Sequence, residues 1–497
     1  MTERRMGLGE LTDLIGPERV VGVPVGEVTA LGYDSRRVTP GSVFFAVSGV
    51  HVDGHDFAPE AVERGALAIV TERELSGIAA PQLVVDRTRR ALADAADAWF
   101  GRPSQNLEVI GVTGTDGKTT TGFLGMQVLS AGGRRTGLIG TVALRIGDEL
   151  IANEERTTTP ESLELQGTLA RMVEAGNDSV VMEATSHGLA LERTRNCRFK
   201  VGIVTTVTSE HLEFHGTLEA YRAAKARLVE EAPTAILNAD DESFGYFRDR
   251  SAGRVLTYAI EADGDLRARD VVADAVGSRF ELTSPSWRGT VSVPMPGRFN
   301  VYNALAALAL AETEGVDLAL AADALAHSPG VPGRMQRVDV GQPFGLVVDY
   351  AHTADSLRKV LATLRPLTTG RLIVVVGSAG ERDPTKRPAM GRVAAELADA
   401  VVVTDEDPRL EDARAINEQI AQGAREAGAR DGENLLVIDD RRAAIARAVM
   451  LAAAGDVILL AGKGHEHSII YGTEHHWWDE PEVARAALRA AGWGPRG

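Results

Sequence analysis

The sequence predicts an α/β protein of three domains, and three observations carry the prediction. Short apolar runs alternate with stretches of helical periodicity along the chain, the pattern of parallel strands crossed over by helices. One of these runs ends in a glycine-rich turn followed at once by a lysine and three threonines. The length of 497 residues suits about three domains at roughly 150 residues each. The expected domains are 1–102, 103–331 and 332–497, divided at the linker-like stretches Gly101-Arg-Pro-Ser104 and Ser328-Pro-Gly-Val-Pro-Gly333.

Composition narrows the class. Hydrophobic content of 44% and charged content of 25% belong to an ordinary globular protein. The net charge of −17 comes without any long Lys/Arg block, so nucleic acid is excluded as the main partner. An anionic ligand must then meet locally placed cations rather than a general positive field. The single cysteine, Cys197, allows no internal disulfide and is expected as a buried hydrophobe. No run of about 18 apolar residues occurs, so no membrane span is expected. The N-terminus lacks the apolar core of a signal peptide. A cytoplasmic monomer is the expectation.

The N-terminal domain reads as a small α/β unit. Leu31-Gly-Tyr-Asp-Ser-Arg36 precedes a Pro-Gly turn and the strand-like Ser42–Val47. A glycine-bounded loop, Ser48-Gly-Val-His-Val-Asp-Gly54, follows, and a helix over 87–100 closes the unit. Taken alone, these segments are turns between strands.

The central domain holds Val109-Ile-Gly-Val-Thr-Gly-Thr-Asp-Gly-Lys-Thr-Thr-Thr121. A strand, a glycine turn and a helix over 122–131 form a phosphate cradle. Gly114 and Gly117 let backbone N–H groups converge, and the helix start adds its positive end. Lys118 is placed for outer phosphates and Thr119 for Mg2+. The general pattern wants glycine where Val112 stands, so the match is partial. Val180–Met182, Val201–Val204 and Ala235–Leu237 read as buried parallel strands. Glu183, just past a strand, suits a Mg2+ ligand. His211 and His215 would share a helix face, but the H-E-x-x-H order is missing and Gly216 follows. A zinc pair is not expected, and His211 is better placed beside a nucleotide. Lys225 sits in an ordinary helix and reads from its surroundings as a surface lysine.

The C-terminal domain repeats the alternation, with strands expected at 346–348, 372–376, 400–403, 435–438 and 457–460. This is a dinucleotide-fold-like layout, whose sites lie at the carboxyl ends of strands. The polar clusters sit there: Gly377–Asp383, Thr404–Arg409 and Gly462–Glu466. Arg382 and Arg409 could grip a carboxylate in a bidentate way, and Glu466 could accept from an ammonium. Asp349 and His352 follow a strand and could touch nucleotide.

The loop Thr113–Thr120 resembles the ATP loop of the Mur ligases and the related folylpolyglutamate synthetases. Further segments extend the resemblance to the Mur ligases over nearly the whole chain: Asp34-Ser35-Arg36, Thr157–Pro160, Thr185–Gly188, Glu210–Gly216, Ala224-Lys225, Gly297–Asn300, Pro332–Met335, Asp349–His352, Lys386–Pro388 and Gly462–Glu466. Within that family the likeness is to the members that add the third peptide residue of the cell-wall precursor.

The resemblance implies a UDP-binding, an ATPase and an amino-acid-binding domain. It implies ATP-dependent ligation to a UDP-N-acetylmuramoyl-dipeptide through an acyl phosphate. By position, Gly114, Thr115, Asp116, Gly117, Lys118, Thr119, Thr120, Asn303, Arg334 and Asp349 would bind ATP. Lys118, Lys225 and His211 would be catalytic. Thr119, Glu183 and a carbamylated Lys225 would hold Mg2+. Tyr33, Ser35, Val50, His51 and Val52 would meet the uridine part, and Thr158, Thr159, Thr185 and Arg193 the muramoyl-dipeptide. Arg382, Glu406, Asp407, Pro408, Arg409, Gly462 and Glu466 would hold the incoming diamino acid.

Five positions depart from the family pattern. Asp116 replaces a usual Asn, Ala354 replaces a usual Pro, and Leu191 stands where a polar contact is often found. Glu406-Asp-Pro-Arg409 replaces the Asp-Asn-Pro-Arg of members that add meso-diaminopimelate. Arg409 suits a distal carboxylate, whereas Asp407 adds negative charge beside it. Meso-diaminopimelate is the expected third residue, with lysine or ornithine open. Two other readings stay open: a ligase of the same fold with another acceptor, such as a folate polyglutamylating enzyme, and a nucleotide-switch protein without ligase chemistry. The Asp34-Ser-Arg unit argues against the folate enzymes, which lack that domain.

Overall fold

The structure is a computed structural model that describes residues 4–49, 52–153, 157–208, 210–274 and 277–494. By contacts the chain forms two compact units, Met1–Leu266 with Ala306–Ala321, and Arg267–Leu305 with Ala322–Gly497. The helix Arg298–Thr313 carries the chain from the second to the first.

Two larger sheets build most of the first unit, beside the short antiparallel pair Met6–Gly7 and Glu27–Val28. In the N-terminal sheet the strands run Arg19–Val21, Gln82–Val84, Ala68–Thr71, Ser42–Phe45 and Ala30–Gly32. All pair in parallel except the edge strand Arg19–Val21. The helix Thr88–Trp99 lays Ala91, Leu92 and Ala95 against this core, at the spacing of one helical face.

The second sheet of this unit runs Glu149–Ala152, Ala143–Ile146, Thr136–Ile139, Ser179–Glu183, Glu108–Thr113, Phe199–Val204, Thr234–Asn238 and Arg254–Ala259. Thr136–Ile139 through Arg254–Ala259 pair in parallel. Their continuous Val/Ile/Leu runs are buried on both faces, as a helix-covered parallel sheet requires. The helix after the glycine turn spans Lys118–Ala131, four residues earlier than its apolar pattern suggested. Apolar periodicity begins only at Gly122, but the first turn needs no apolar face, because its N–H groups have no helical partners.

The second unit contains three antiparallel strands, Leu266–Ala273, Ser278–Thr283 and Arg288–Val293. Its six-stranded sheet runs Gln336–Arg337, Gly345–Asp349, Val457–Ala461, Leu372–Val376, Ala400–Val403 and Leu435–Val437. Only the edge strand Gln336–Arg337 is antiparallel. One core packs each face: Leu357, Leu361, Met390 and Ile420 on one side, Ile445, Val449, Trp478 and Leu488 on the other. No helix among the described residues is long and apolar enough to cross a membrane.

Candidate active site

In the first unit, Glu108–Thr113 lies between Ser179–Glu183 and Phe199–Val204. The helix after this strand leads to Thr136–Ile139, one strand beyond Ser179–Glu183, and the chain comes back to fill both neighbouring places only later. Such a switch point opens a crevice at the carboxyl end of the strand. The loop 114–117 fills that end. Gly114 has φ +152°, and a Cβ there would stand 1.9 Å from Thr205 Oγ1, so no other residue fits. Thr205 Oγ1 lies 3.1 Å from the Thr113 carbonyl and 2.6 Å from that of Asp116. The Thr115 N–H donates to Thr206 O at 2.6 Å. The Asp116 side chain is exposed to solvent, where its charge is screened.

Two lysines converge on this loop. Lys118 Nζ donates to Gly114 O at 3.0 Å and Thr115 O at 2.8 Å. Lys225 Nζ donates to the same Gly114 carbonyl at 2.7 Å and lies 4.4 Å over the Tyr221 ring. Lys225 is 1% exposed, which corrects its reading as a surface lysine. Helix Leu218–Glu231 turns Tyr221, Ala224, Lys225 and Leu228 inward together. Burial, then the nearby Lys118 charge, holds the Lys225 ammonium well below the usual lysine range. Tyr221 shares a 2.9 Å hydrogen bond with Thr115 Oγ1, and burial pushes its phenol up to about 12.

Glu183 is 1% exposed, and its carboxylate is held by donors. Thr119 Oγ1 donates to Oε2 at 3.0 Å, and the Thr141 N–H to Oε1 at 2.8 Å. Thr119 and Glu183 thus put two hard oxygen ligands side by side, a donor set that fits Mg2+. The described residues contain no group of three or more His, Cys, Asp and Glu side chains able to cage a metal. Mg2+ at nucleotide sites needs no such cage, since water and phosphate oxygens complete its shell. Thr120 is buried on the first turn of the helix.

Hydroxyls continue from Glu183. Thr141 Oγ1 meets Thr158 Oγ1 at 2.9 Å; Thr159 Oγ1 donates to Glu183 O at 2.8 Å and meets Thr185 Oγ1 at 3.0 Å. Arg193 Nη1 donates to Thr159 O at 3.0 Å, and its Nε lies 3.4 Å from Glu161, which also pairs with Arg89. Thr158, Thr159, Thr185 and Arg193 therefore form one network with Glu183. His211 is exposed, with φ +55°, and precedes a helix of only Leu212–His215. The two histidines do not share a helix face. They meet at the His187 ring instead, 4.8 Å from His211 and 5.5 Å from His215. Burial, then the two imidazoles, lowers His187 to about 4. Sequence reasoning missed His187, Tyr221 and Thr141.

In the N-terminal sheet, Ser35 is buried and donates to Glu60 Oε2 at 2.8 Å. Tyr33 is half-buried and Val52 exposed. Val50 and His51 lie outside the described residues.

In the second unit, Asp349 is spent on backbone. It accepts from the Met335 N–H at 2.8 Å and the Ala351 N–H at 2.9 Å, and burial raises its pKa. Arg334 stacks 5.2 Å over the Tyr350 ring. Asn303 donates to Asn300 Oδ1 at 3.1 Å.

The sheet order Val457–Ala461, Leu372–Val376, Ala400–Val403 puts the three expected polar loops next to each other. The Gly380 N–H donates to Asp407 O at 2.8 Å. Gly462 has φ +105°, and a Cβ there would stand 2.8 Å from Glu406 Oε2. Glu406 is buried, its Oε2 has no hydrogen-bond partner, and burial raises its pKa. Asp407 accepts from Lys463 Nζ at 2.9 Å and from the Ile470 N–H at 3.0 Å. Lys463 also donates to Glu466 Oε2 at 2.7 Å. Two expectations change here. Asp407 does not present an unmatched charge, and one Glu466 oxygen already holds an ammonium, that of Lys463. Pro408 O accepts from the Glu411 N–H. Arg409, at φ +56°, donates its N–H to Ile470 O at 3.0 Å. Its guanidinium is half-buried, and Nε has no partner. Arg382 is exposed in the loop after Leu372–Val376 and joins none of these contacts.

A phosphate loop with two lysines and a polar cluster at three strand ends define a nucleotide-using α/β protein, and comparison with known proteins specifies which. The chain belongs to the Mur ligase family. Residues 27–100 match the Mur ligase family catalytic domain, 112–311 the Mur ligase middle domain, and 333–464 the Mur ligase glutamate ligase domain. The chain is 47% identical to the UDP-N-acetylmuramyl-tripeptide synthetase of Roseiflexus sp. (strain RS-1), covering 94% of this chain and 96% of that one. It is 45% identical to the UDP-N-acetylmuramoyl-L-alanyl-D-glutamate–2,6-diaminopimelate ligase of Geobacillus thermodenitrificans, covering 93% and 95%. A solved structure of a 2,6-diaminopimelate ligase of that name superposes with a TM-score of 0.70 at 32% identity, covering 98% of this chain and 99% of that one. The architecture is the three-domain α/β fold of Mur ligases.

Proposed function

We propose that this protein is an ATP-dependent ligase that joins meso-diaminopimelate to UDP-N-acetylmuramoyl-L-alanyl-D-glutamate in peptidoglycan synthesis. The observation that carries the reading is Lys225, buried to 1% exposure against the carbonyl of Gly114. An apolar residue would fill that space at lower cost. A lysine there belongs to chemistry at the end of the phosphate loop.

A carboxylate is a poor acyl donor until its oxygen becomes a leaving group. An oxygen of the terminal D-Glu carboxylate attacks the γ-phosphorus of ATP, and the bond to the β-phosphate oxygen breaks. ADP leaves, and an acyl phosphate remains. The amine nitrogen then attacks the acyl carbon, loses a proton, and expels phosphate as the C–O bond breaks. The products are an amide, ADP and phosphate. Lys118 balances negative charge at the outer phosphates. Thr119 and Glu183 would hold Mg2+, which neutralises phosphate charge when bound. The depressed pKa of Lys225 favours the neutral amine, the form that takes up CO2 as a carbamate. Carbamylation would make this amine a second anionic group able to hold a metal ion.

Ser35 and Tyr33 serve the uridine end, and Thr158, Thr159, Thr185 and Arg193 the muramoyl-dipeptide. Asn303 and Arg334 are nucleoside contacts by position in the family pattern, and Asp349 holds the backbone of Met335 and Ala351 beside Arg334. Arg409 takes a carboxylate of the incoming amino acid, with Arg382 on the exposed loop; Glu406, Gly462 and Glu466 receive its ammonium.

The test supplies UDP-muramoyl-L-Ala-D-Glu, ATP and Mg2+ with one amino acid at a time, and weighs the product. Diaminopimelate is joined. Joining only of lysine or ornithine would identify a different third residue, and no joining at all would leave no ligase.

A further inference from the structure

The cluster in the second unit contains a cation with no assigned role. Lys463 is 0% exposed and is pinched between Asp407 at 2.9 Å and Glu466 at 2.7 Å. Of the neighbouring charges, Glu406 has Lys463 as its largest opposing charge, while Arg441 and Asp405 have other partners. Arg441, also buried, pairs with Glu480 and donates to Ala461 O at 2.8 Å. Asp405 accepts from Asn417 Nδ2 at 2.7 Å and Tyr471 OH at 3.2 Å. Asp407 and Glu466 therefore share the one positive charge of Lys463.

That arrangement bears on the amino acid. Lysine and diaminopimelate both carry a distal ammonium, but only diaminopimelate adds a distal carboxylate. Asp407 lies two residues from Arg409, and both are tied to Ile470, Asp407 through its side chain to the N–H and Arg409 through its N–H to the carbonyl. An uncompensated Asp407 there would repel a second carboxylate. A compensated one leaves Arg409 to bind it.

We propose that Lys463 is a specificity-determining positioning residue. By offsetting the charge of Asp407 and holding Glu466 in place, it lets the site accept an amino acid with a second carboxylate at its far end. This rests on the ligase reading above.

The experiment measures kcat/KM for meso-diaminopimelate and for L-lysine, and their ratio, in wild type, Lys463→Met, Lys463→Arg, Asp407→Asn and the double variant Lys463→Met/Asp407→Asn. Lys463→Met lowers the diaminopimelate-to-lysine ratio by about tenfold or more, the scale of one bare charge a few ångströms away at intermediate dielectric. The loss lies in KM for diaminopimelate rather than in kcat. Lys463→Arg keeps most of the ratio. Asp407→Asn raises it, and the double variant returns it towards wild type. A purely structural lysine would lower both substrates alike and leave the ratio unchanged, which would overturn the proposal. Asp407→Asn keeps the test decisive where Lys463→Met does not fold: a ratio that falls or stays level contradicts it. Wild-type protein that joins lysine and not diaminopimelate also overturns it. Wild type that joins neither sinks the parent reading, a result distinct from an unchanged ratio.

Discussion

The two polar sites handle charge in opposite ways. At the phosphate loop, Lys118 and Lys225 donate to backbone carbonyls, both to that of Gly114. In the second unit cations meet acids directly: Lys463 with Asp407 and Glu466, Arg441 with Glu480, Arg387 with Glu411. A triphosphate brings several negative charges, so its cradle gains from cations resting on weak, exchangeable acceptors. An amino acid brings both signs, so its site is balanced beforehand. The lesson is that a site's internal pairing mirrors the net charge of what it must take in.

Variants can break this contrast at either end. Lys118→Ala has the largest expected effect. Turnover falls by about 10³, the scale of losing a preorganised charge on developing anions, while circular dichroism is unchanged. A loss below about tenfold would remove Lys118 from the phosphates.

Glu480→Gln tests the paired end. It leaves Arg441 buried without its counter-ion, since both residues are 1% exposed. Unfolding free energy falls by about 3 kcal/mol, read by denaturant titration. Lys225→Met is the matching change at the other end. It removes a buried amine rather than half of an ion pair, so stability holds or rises. Turnover falls by about 10², and added bicarbonate does not restore it. Unchanged turnover would contradict the carbamate role.

Arg409→Lys keeps the charge but loses the planar fork. KM for diaminopimelate rises by about tenfold with little change in kcat. The smallest effect is on pH dependence. The His187 imidazole stays neutral in the folded protein down to about 4, against an ordinary 6.5. The unfolded chain takes up that proton as pH falls below 6.5. Acid therefore favours unfolding across pH 6.5 to 4, and the contribution is fully present above 6.5. His187→Asn flattens the stability profile in that window, and an unaltered slope would contradict it.

Most of the fold is legible in the residues because parallel strands write themselves as apolar runs. Leu372–Val376 and Ala400–Val403 fall on their expected bounds. Their order in the sheet is not local information, yet it is what gathers the three polar loops. Lys225 shows the opposite failing. Its helix carries Tyr221, Ala224 and Leu228 at the spacing of one buried face, so the stripe already pointed Lys225 inward. Composition hid that, because lysine in a helix is usually solvated. Lys463 lay inside a quoted motif, but a partner 56 positions away in sequence, Asp407, leaves no local trace.

The most direct test of the account labels the terminal D-Glu carboxylate of the UDP-muramoyl-dipeptide with oxygen-18 and follows the label through one turnover. Activation as an acyl phosphate moves one labelled oxygen into the released inorganic phosphate, with ADP formed in equal amount. Unlabelled phosphate alongside amide product would contradict it.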